Sequence, residues 1–358
     1  MTSFTARFTF FVLLAAGSMG IFPASFCQAE PMPTLIILNW AEYLDPGLIK
    51  EFESRHKVRV REVYYETETG MDQMLAATGG KGYDLVVASR TKIMSYVKRG
   101  WLAEVDRSKI PNLRYLDPRW EKENPEVSKY SVPYFWGTVG IAYRKDLYHG
   151  TVTGWKDLFR PAEPLRGRIM MIEDVRDTVG MALKALGYSL NSTDSAELAA
   201  AEKLLLEQRP FVRKYGYLTL DDDSDLLTGK YWMAMMYNGD ALVLADKNDQ
   251  VVFVQPEEGT NIWLDSLAVL AASKQRELAF TFIDFLNIPE NAARNAEHLY
   301  MATPNLEALK HTSEEYRSDE NIFPPPEVLQ KSEFYQPLPP RVLKRYNAIF
   351  TKASYGLL

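Results

Sequence analysis

Cysteine is nearly absent: the 358-residue chain has one, Cys27, and it precedes Glu30. Once the stretch that carries it is removed, the rest holds no disulfide, no thiol nucleophile and no thiolate metal site. Histidine is as sparse. His56, His149, His298 and His311 are scattered, without the spacing that gathers imidazoles around a metal. No Gly-x-Ser-x-Gly occurs, which excludes the common hydrolase elbow. Gly79-Gly80-Lys81-Gly82 lacks the frame of a phosphate loop. Positive charge is in deficit too. The chain has 41 Lys and Arg against 47 Asp and Glu, a net charge of −6, whereas a nucleic-acid binder needs a basic face. Beyond the N-terminal stretch no apolar run is long enough to span a bilayer.

What is present begins with an export signal over residues 1–29. Arg7 supplies the positive end, Phe8 to Ala16 is a short apolar core, and Cys27-Gln28-Ala29 ends in a small residue. Cleavage is expected after Ala29, with lipidation at Cys27 as the alternative. No cofactor is expected. The length of the remainder favours two lobes over one.

The stretch Leu35 to Pro46 organises that remainder. Leu35-Ile36-Ile37-Leu38 reads as a buried strand, and Asp45-Pro46 reads as an N-cap followed by Pro at the first helical position. Between them Asn39-Trp40-Ala41-Glu42-Tyr43 places two aromatics and a carboxylate at the carboxyl end of a strand. In open α/β sheets small ligands bind at that end. Strands over Val58 to Val63 and Tyr83 to Ser89 alternate with helices, which predicts a parallel sheet. A long apolar segment, Val132 to Tyr143, is suited to cross into a second lobe. A second α/β pattern follows: strands over Arg168 to Ile172, Trp232 to Tyr237 and Val251 to Gln255, with helices over Thr178 to Leu186 and Ala196 to Glu207. Trp263 to Val269 reads as a second crossing. The expected division is residues 30–139 and 265–306 in lobe one, 140–264 and 307–358 in lobe two.

The same residue types recur at the strand ends. Trp40, Tyr43, Tyr237 and Trp263 are aromatic; Glu42, Asp174, Asp177, Asp240 and Asp265 are acidic. A protonated amine needs carboxylates in place of its lost water. Rings wall its methylenes and offer negative faces to the ammonium. Asp174 alone reads as a helix N-cap, and Asp174 with Asp177 could do acid–base work. Rings at three of the four strand ends favour binding of an organic cation over catalysis.

These motifs resemble the periplasmic polyamine-binding proteins of the spermidine/putrescine ABC-transporter family. The likeness runs from about Leu35 to about Tyr335. It is carried by Asn39-Trp40-Ala41-Glu42-Tyr43, Tyr83 to Ser89, Pro133-Tyr134-Phe135-Trp136-Gly137, Asp265-Ser266-Leu267-Ala268 and Thr303-Pro304-Asn305. The resemblance implies a type II periplasmic-binding-protein fold, α/β and two-lobed, with ligand in the interlobe cleft. It implies a non-enzymatic, monomeric protein of the periplasm that captures a polyamine by hinge closure and passes it to an inner-membrane ABC permease. A membrane sensor is the alternative partner, and another organic cation the alternative ligand. On the same basis Trp40, Tyr43, Ser89, Asp174, Asp177, Tyr237, Trp263 and Asp265 fall on ligand-contacting positions. Asp240 resembles an acid of the putrescine branch. Thr91 and Met301 stand where the family has Tyr, so Tyr300 is expected to shift into the second gap. Tyr335 or Gln336 supplies a C-terminal polar contact.

Overall fold

The computed structural model describes residues 32–123 and 125–356. The export signal and Cys27 lie outside the described residues. Among the described residues nine strands occur in chain order: β1 (Thr34–Trp40), β2 (Arg59–Tyr65), β3 (Leu85–Ser89), β4 (Val132–Arg144), β5 (Ile169–Ile172), β6 (Val212–Gly216), β7 (Met233–Tyr237), β8 (Val251–Val254) and β9 (Ile262–Val269). The first sheet runs β2-β1-β3-β9-β4, and the second joins β8, β4, β7, β5 and β6. β4 belongs to both. Its residues Val132 to Thr138 pair with β9, and Val139 to Arg144 pair with β7 and β8. The fold is a two-lobed α/β architecture, with each lobe built on one sheet.

Side-chain alternation explains why each sheet is covered on both faces. In β1 and β3, Leu35, Ile37, Leu85 and Val87 join a core with Phe52, Phe282 and Phe285. Leu38, Val86 and Ala88 face the other way, onto Met71, Leu75, Ile93 and Tyr96. In the second sheet Ile169, Met171, Met233 and Met235 pack on Trp155, Leu183 and Tyr346, while Met170, Ala234 and Met236 pack on Leu226 and Tyr231. Tyr64 and Tyr65 show the same rule at the end of β2: the first is 53% exposed and the second 3%.

Three expectations need correction. The sheets are mixed, not parallel: β1, β2 and β3 run parallel, but β9 is antiparallel to both β3 and β4. The reason is that β4 and β9 carry the chain between lobes and return it. The second crossing falls before Trp263, since Trp263 and Leu264 already pair with Gly137 and Trp136 in the first sheet. The segment after 307 divides. Tyr316 and Ile322 sit in the first core, and the helix Pro340–Tyr355 buries Tyr346, Ile349 and Phe350 in the second.

Candidate functional site

Two carboxylate centres flank the junction of the sheets. The first is Asp265. β9 holds it opposite Ser89 of β3 and Phe135 of β4, and it is 8% exposed. Tyr43 reaches it because the chain reverses after β1. Glu42 takes a left-handed φ of 54°, and Asp45 caps the helix Pro46–His56 by accepting from the Gly47 N–H at 2.7 Å. That turn buries the Tyr43 ring against Tyr134 and Phe135, edge-on, with centroids 5.8 and 5.7 Å away. Its hydroxyl donates to Asp265 Oδ2 at 3.1 Å. Trp40 stacks at a tilt on Tyr65, 4.3 Å between centroids, and favours the ionised form of Asp265. Burial pushes the Asp265 carboxyl up to about 6, while Tyr43 and Trp40 pull it back. Burial and the facing Asp265 charge hold the Tyr43 phenol far above its ordinary range.

The second centre is Asp177, in the first turn of the helix Val175–Ala185 and 2% exposed. Asp174 caps that helix, one oxygen accepting from the N–H groups of Arg176 at 2.7 Å and Asp177 at 2.9 Å. Three neutral donors converge on Asp177. Tyr237, at the end of β7, donates at 2.7 Å, Tyr335 at 2.5 Å and Asn261 at 3.3 Å. Burial, then the Asp174 charge, push Asp177 up to about 7, against the pull of those donors. Arg176 lies 4.4 Å over the Tyr335 ring and donates to the Gln336 carbonyl at 3.1 Å. That cation thus anchors the C-terminal segment.

Trp263 stands between the centres and packs on both large cores. Its indole N–H donates to the Thr138 carbonyl at 3.3 Å, and Tyr237 meets it edge-on at 6.3 Å. Gly137 makes room for it: a Cβ there would lie 2.5 Å from the indole ring. Trp263 and Asp265 share one side of β9 by alternation, and Asn261 immediately precedes the strand. From Asn261 to Asp265 is four residues, about 13 Å of strand.

The remaining expected residues are placed as follows. Ser89 donates to Glu68 and lies 3.1 Å from the Thr91 hydroxyl. Asp240 sits half-buried in the first turn of the helix Asn238–Lys247, and burial pushes it up to about 6. Glu42 is exposed, and the phenol its charge reaches is Tyr64. Tyr300 takes a left-handed φ of 52° at the end of the helix Pro289–Leu299, and its charged neighbours are Asp246 and Glu315 rather than either centre. Met301 packs on the first core, close to Gly239.

Sequence reasoning passed over three groups. Asn261 bonds Asp177. Glu68, the first residue of the helix Glu68–Thr78, accepts from Ser89 and feels the charges of both Asp174 and Asp265. Tyr217, just beyond β6, feels Asp174, Asp177 and Glu68. In sequence Glu68 has the form of an acid at a helix start, and Tyr217 follows a polar edge strand that carries no apolar run.

The family model for bacterial extracellular solute-binding proteins matches residues 47–324. The chain belongs to that family. It is 34% identical over 324 residues to the spermidine/putrescine-binding periplasmic protein of Salmonella typhimurium, covering 90% of this chain and 92% of the relative. The putrescine/cadaverine-binding protein of Pseudomonas aeruginosa is 28% identical, over 92% and 96% of the two chains. Among solved structures, a spermidine/putrescine ABC transporter substrate-binding protein from Streptococcus pneumoniae superposes with a TM-score of 0.80 at 28% identity, covering 90% of this chain and 98% of that one.

Proposed function

We propose that this protein captures a polyamine of the putrescine/spermidine class in the periplasm and delivers it, as a monomer, to an inner-membrane ABC permease. The observation that carries the reading is the pair of buried carboxylates, Asp177 and Asp265, each ringed by aromatics and set on separate lobes. A linear cation laid along β9 meets an acid at each end and the Trp263 ring between. Trp40, Tyr43, Tyr237 and Tyr335 wall those ends; Ser89, Asp174 and Asp240 add polar contacts. The names of the relatives support the same ligand class. Capture needs no bond-making: ligand docks on one lobe and the other closes over it. We take the lobes to divide within β4, between Thr138 and Val139, and just before β9, where the sheet pairing changes.

Calorimetry of ligand-free protein against putrescine, cadaverine, spermidine, norspermidine and spermine tests the proposal. Saturable binding of at least one, at micromolar or tighter affinity, is expected. No heat from any of the five at pH 8 would overturn it.

A further inference from the structure

Residues 333–336 form a strap tied to the second lobe. Lys184 donates to the Glu333 carboxylate at 3.2 Å. Asn191 donates to the Phe334 carbonyl at 2.9 Å and accepts from the Gln336 N–H at 2.8 Å. Tyr335 packs on the second core and donates to Asp177. Glu333 also exchanges backbone bonds of 2.9 Å with Thr260 and Ile262, where the chain recrosses between lobes. The Phe334 ring goes the other way. It packs on the first core, edge-on to Trp120 with centroids 6.0 Å apart.

Arg90 meets that ring from the first lobe. Its guanidinium carbon lies 5.3 Å from the Phe334 centroid, and Nη2 donates to the Glu123 carbonyl at 3.2 Å. On local grounds this is a poor place for a cation. Arg90 opens the helix Arg90–Lys98, and the macrodipole disfavours positive charge at that end. Burial lowers its pKa, so the guanidinium has lost part of its water. A ring face holds a desolvated cation more strongly than a hydrated one. The contact also borders both carboxylate centres. Arg90 follows Ser89, the register partner of Asp265, and Phe334 precedes Tyr335, which bonds Asp177. A hinge motion that parts the two centres therefore parts Arg90 from Phe334. We propose that Arg90 and Phe334 form a latch between the lobes, which slows release of ligand without touching it. This rests on the polyamine capture and hinge closure proposed above.

The test is stopped-flow tryptophan fluorescence of the purified mature chain with putrescine and with spermidine at pH 8, beside a thermal melt of each ligand-free variant. Phe334→Ala should raise the release rate of whichever polyamine binds by at least about threefold, with association within about twofold of wild type. Arg90→Gln, on the other lobe, should do the same. The double variant should release no faster than the faster single one, because both changes break one contact. Phe334→Tyr keeps the ring and should release at the wild-type rate. If Phe334→Ala does not fold, Phe334→Leu takes its place in the same cycle. Release unchanged in both single variants overturns the latch, whatever happens to the melting temperature. Effects that multiply in the double variant overturn it too, since they belong to independent packing losses. Wild type that binds polyamine with no change in radius of gyration overturns hinge and latch together and leaves polyamine capture standing. Wild type that binds no polyamine overturns all three.

Discussion

Replacing Asp265 by Asn changes one oxygen for an NH2 and should move stability and affinity in opposite directions. In the ligand-free protein the carboxylate is a liability. Burial raises it from 3.8 to about 6, which destabilises the ionised folded form by about 3 kcal/mol at most. The sign follows from linkage. Below about pH 4 the group is protonated whether folded or unfolded, and nothing is lost. Between about 4 and 6 the unfolded chain ionises first, so stability falls, and above 6 the loss is complete. Asp265→Asn lacks that loss, so its melting temperature should equal or exceed wild type at pH 7.5, with the gap closing near pH 4. With polyamine the balance reverses. The variant faces a desolvated ammonium without its counter-charge. Breaking such a buried pair costs about 3–5 kcal/mol, which is roughly a hundred- to a few thousand-fold in affinity. Thermal melts across pH and calorimetry on this one variant give both numbers. A less stable apo protein whose best polyamine still binds within a few-fold of wild type would make Asp265 a structural acid and refute the reasoning.

Affinity for putrescine should fall as pH drops from 8 to 5, because the bound dication needs Asp177, pushed up to about 7, and Asp265 and Asp240, pushed up to about 6, in their ionised forms. Near pH 6.5 binding should release protons. Calorimetric heats would then differ between phosphate and imidazole buffers, and identical heats would contradict the linkage. Gly137→Ala places a Cβ 2.3 Å from Asn238 Oδ1 and 2.5 Å from the Trp263 ring. Overpacking of this kind costs about 1–3 kcal/mol in a denaturant titration, and displacement of Trp263 should weaken ligand binding as well. Saturating ligand should shrink the radius of gyration in small-angle scattering, and an unchanged value with bound ligand would remove hinge closure.

Local chemistry was legible where it is strong. Asp45-Pro46 marks its helix start to the residue, and Val132 to Tyr143 marks the strand that joins the lobes. β6 was not legible. Val212-Arg213-Lys214-Tyr215-Gly216 is a polar edge, paired only with β5, and an edge strand needs no apolar run. Strand direction was not legible either. β9 and β3 run antiparallel because of where the chain returns from, which no local pattern records. Trp40 and Tyr237 are the last residues of apolar strands, the position that draws attention to an aromatic in sequence. Glu68 follows a strand less directly, through Thr67, whose hydroxyl caps the same helix by accepting from the Gly70 N–H at 3.0 Å. A helix-start acid and a ligand acid look alike in sequence.

The partners chosen for the two central acids bear on their role. Several other acids are paired with cations: Asp45 with Arg294 at 2.5 Å, Glu202 with Arg345 and Lys352, Asp72 with Lys92. Asp177 receives two phenols and an amide, and Asp265 a phenol. Neutral donors fix a carboxylate in position without cancelling its charge. A guanidinium in the same place would lower the desolvation penalty and leave nothing for an incoming cation. The empty protein therefore carries strained acids, held partly protonated near neutral pH. On the proposed function, an arriving ammonium would relieve that strain, and part of the unfavourable apo electrostatics would be recovered on binding. By this logic, Tyr237→Phe and Tyr335→Phe together would leave the Asp177 carboxylate without its phenol donors. The Asp177 pKa should then rise further above 7, and the pH at which putrescine binding reaches half its plateau should rise with it. Binding profiles from pH 5 to 9 on the double variant would show it, and a midpoint at or below that of wild type would refute the role assigned to the phenols.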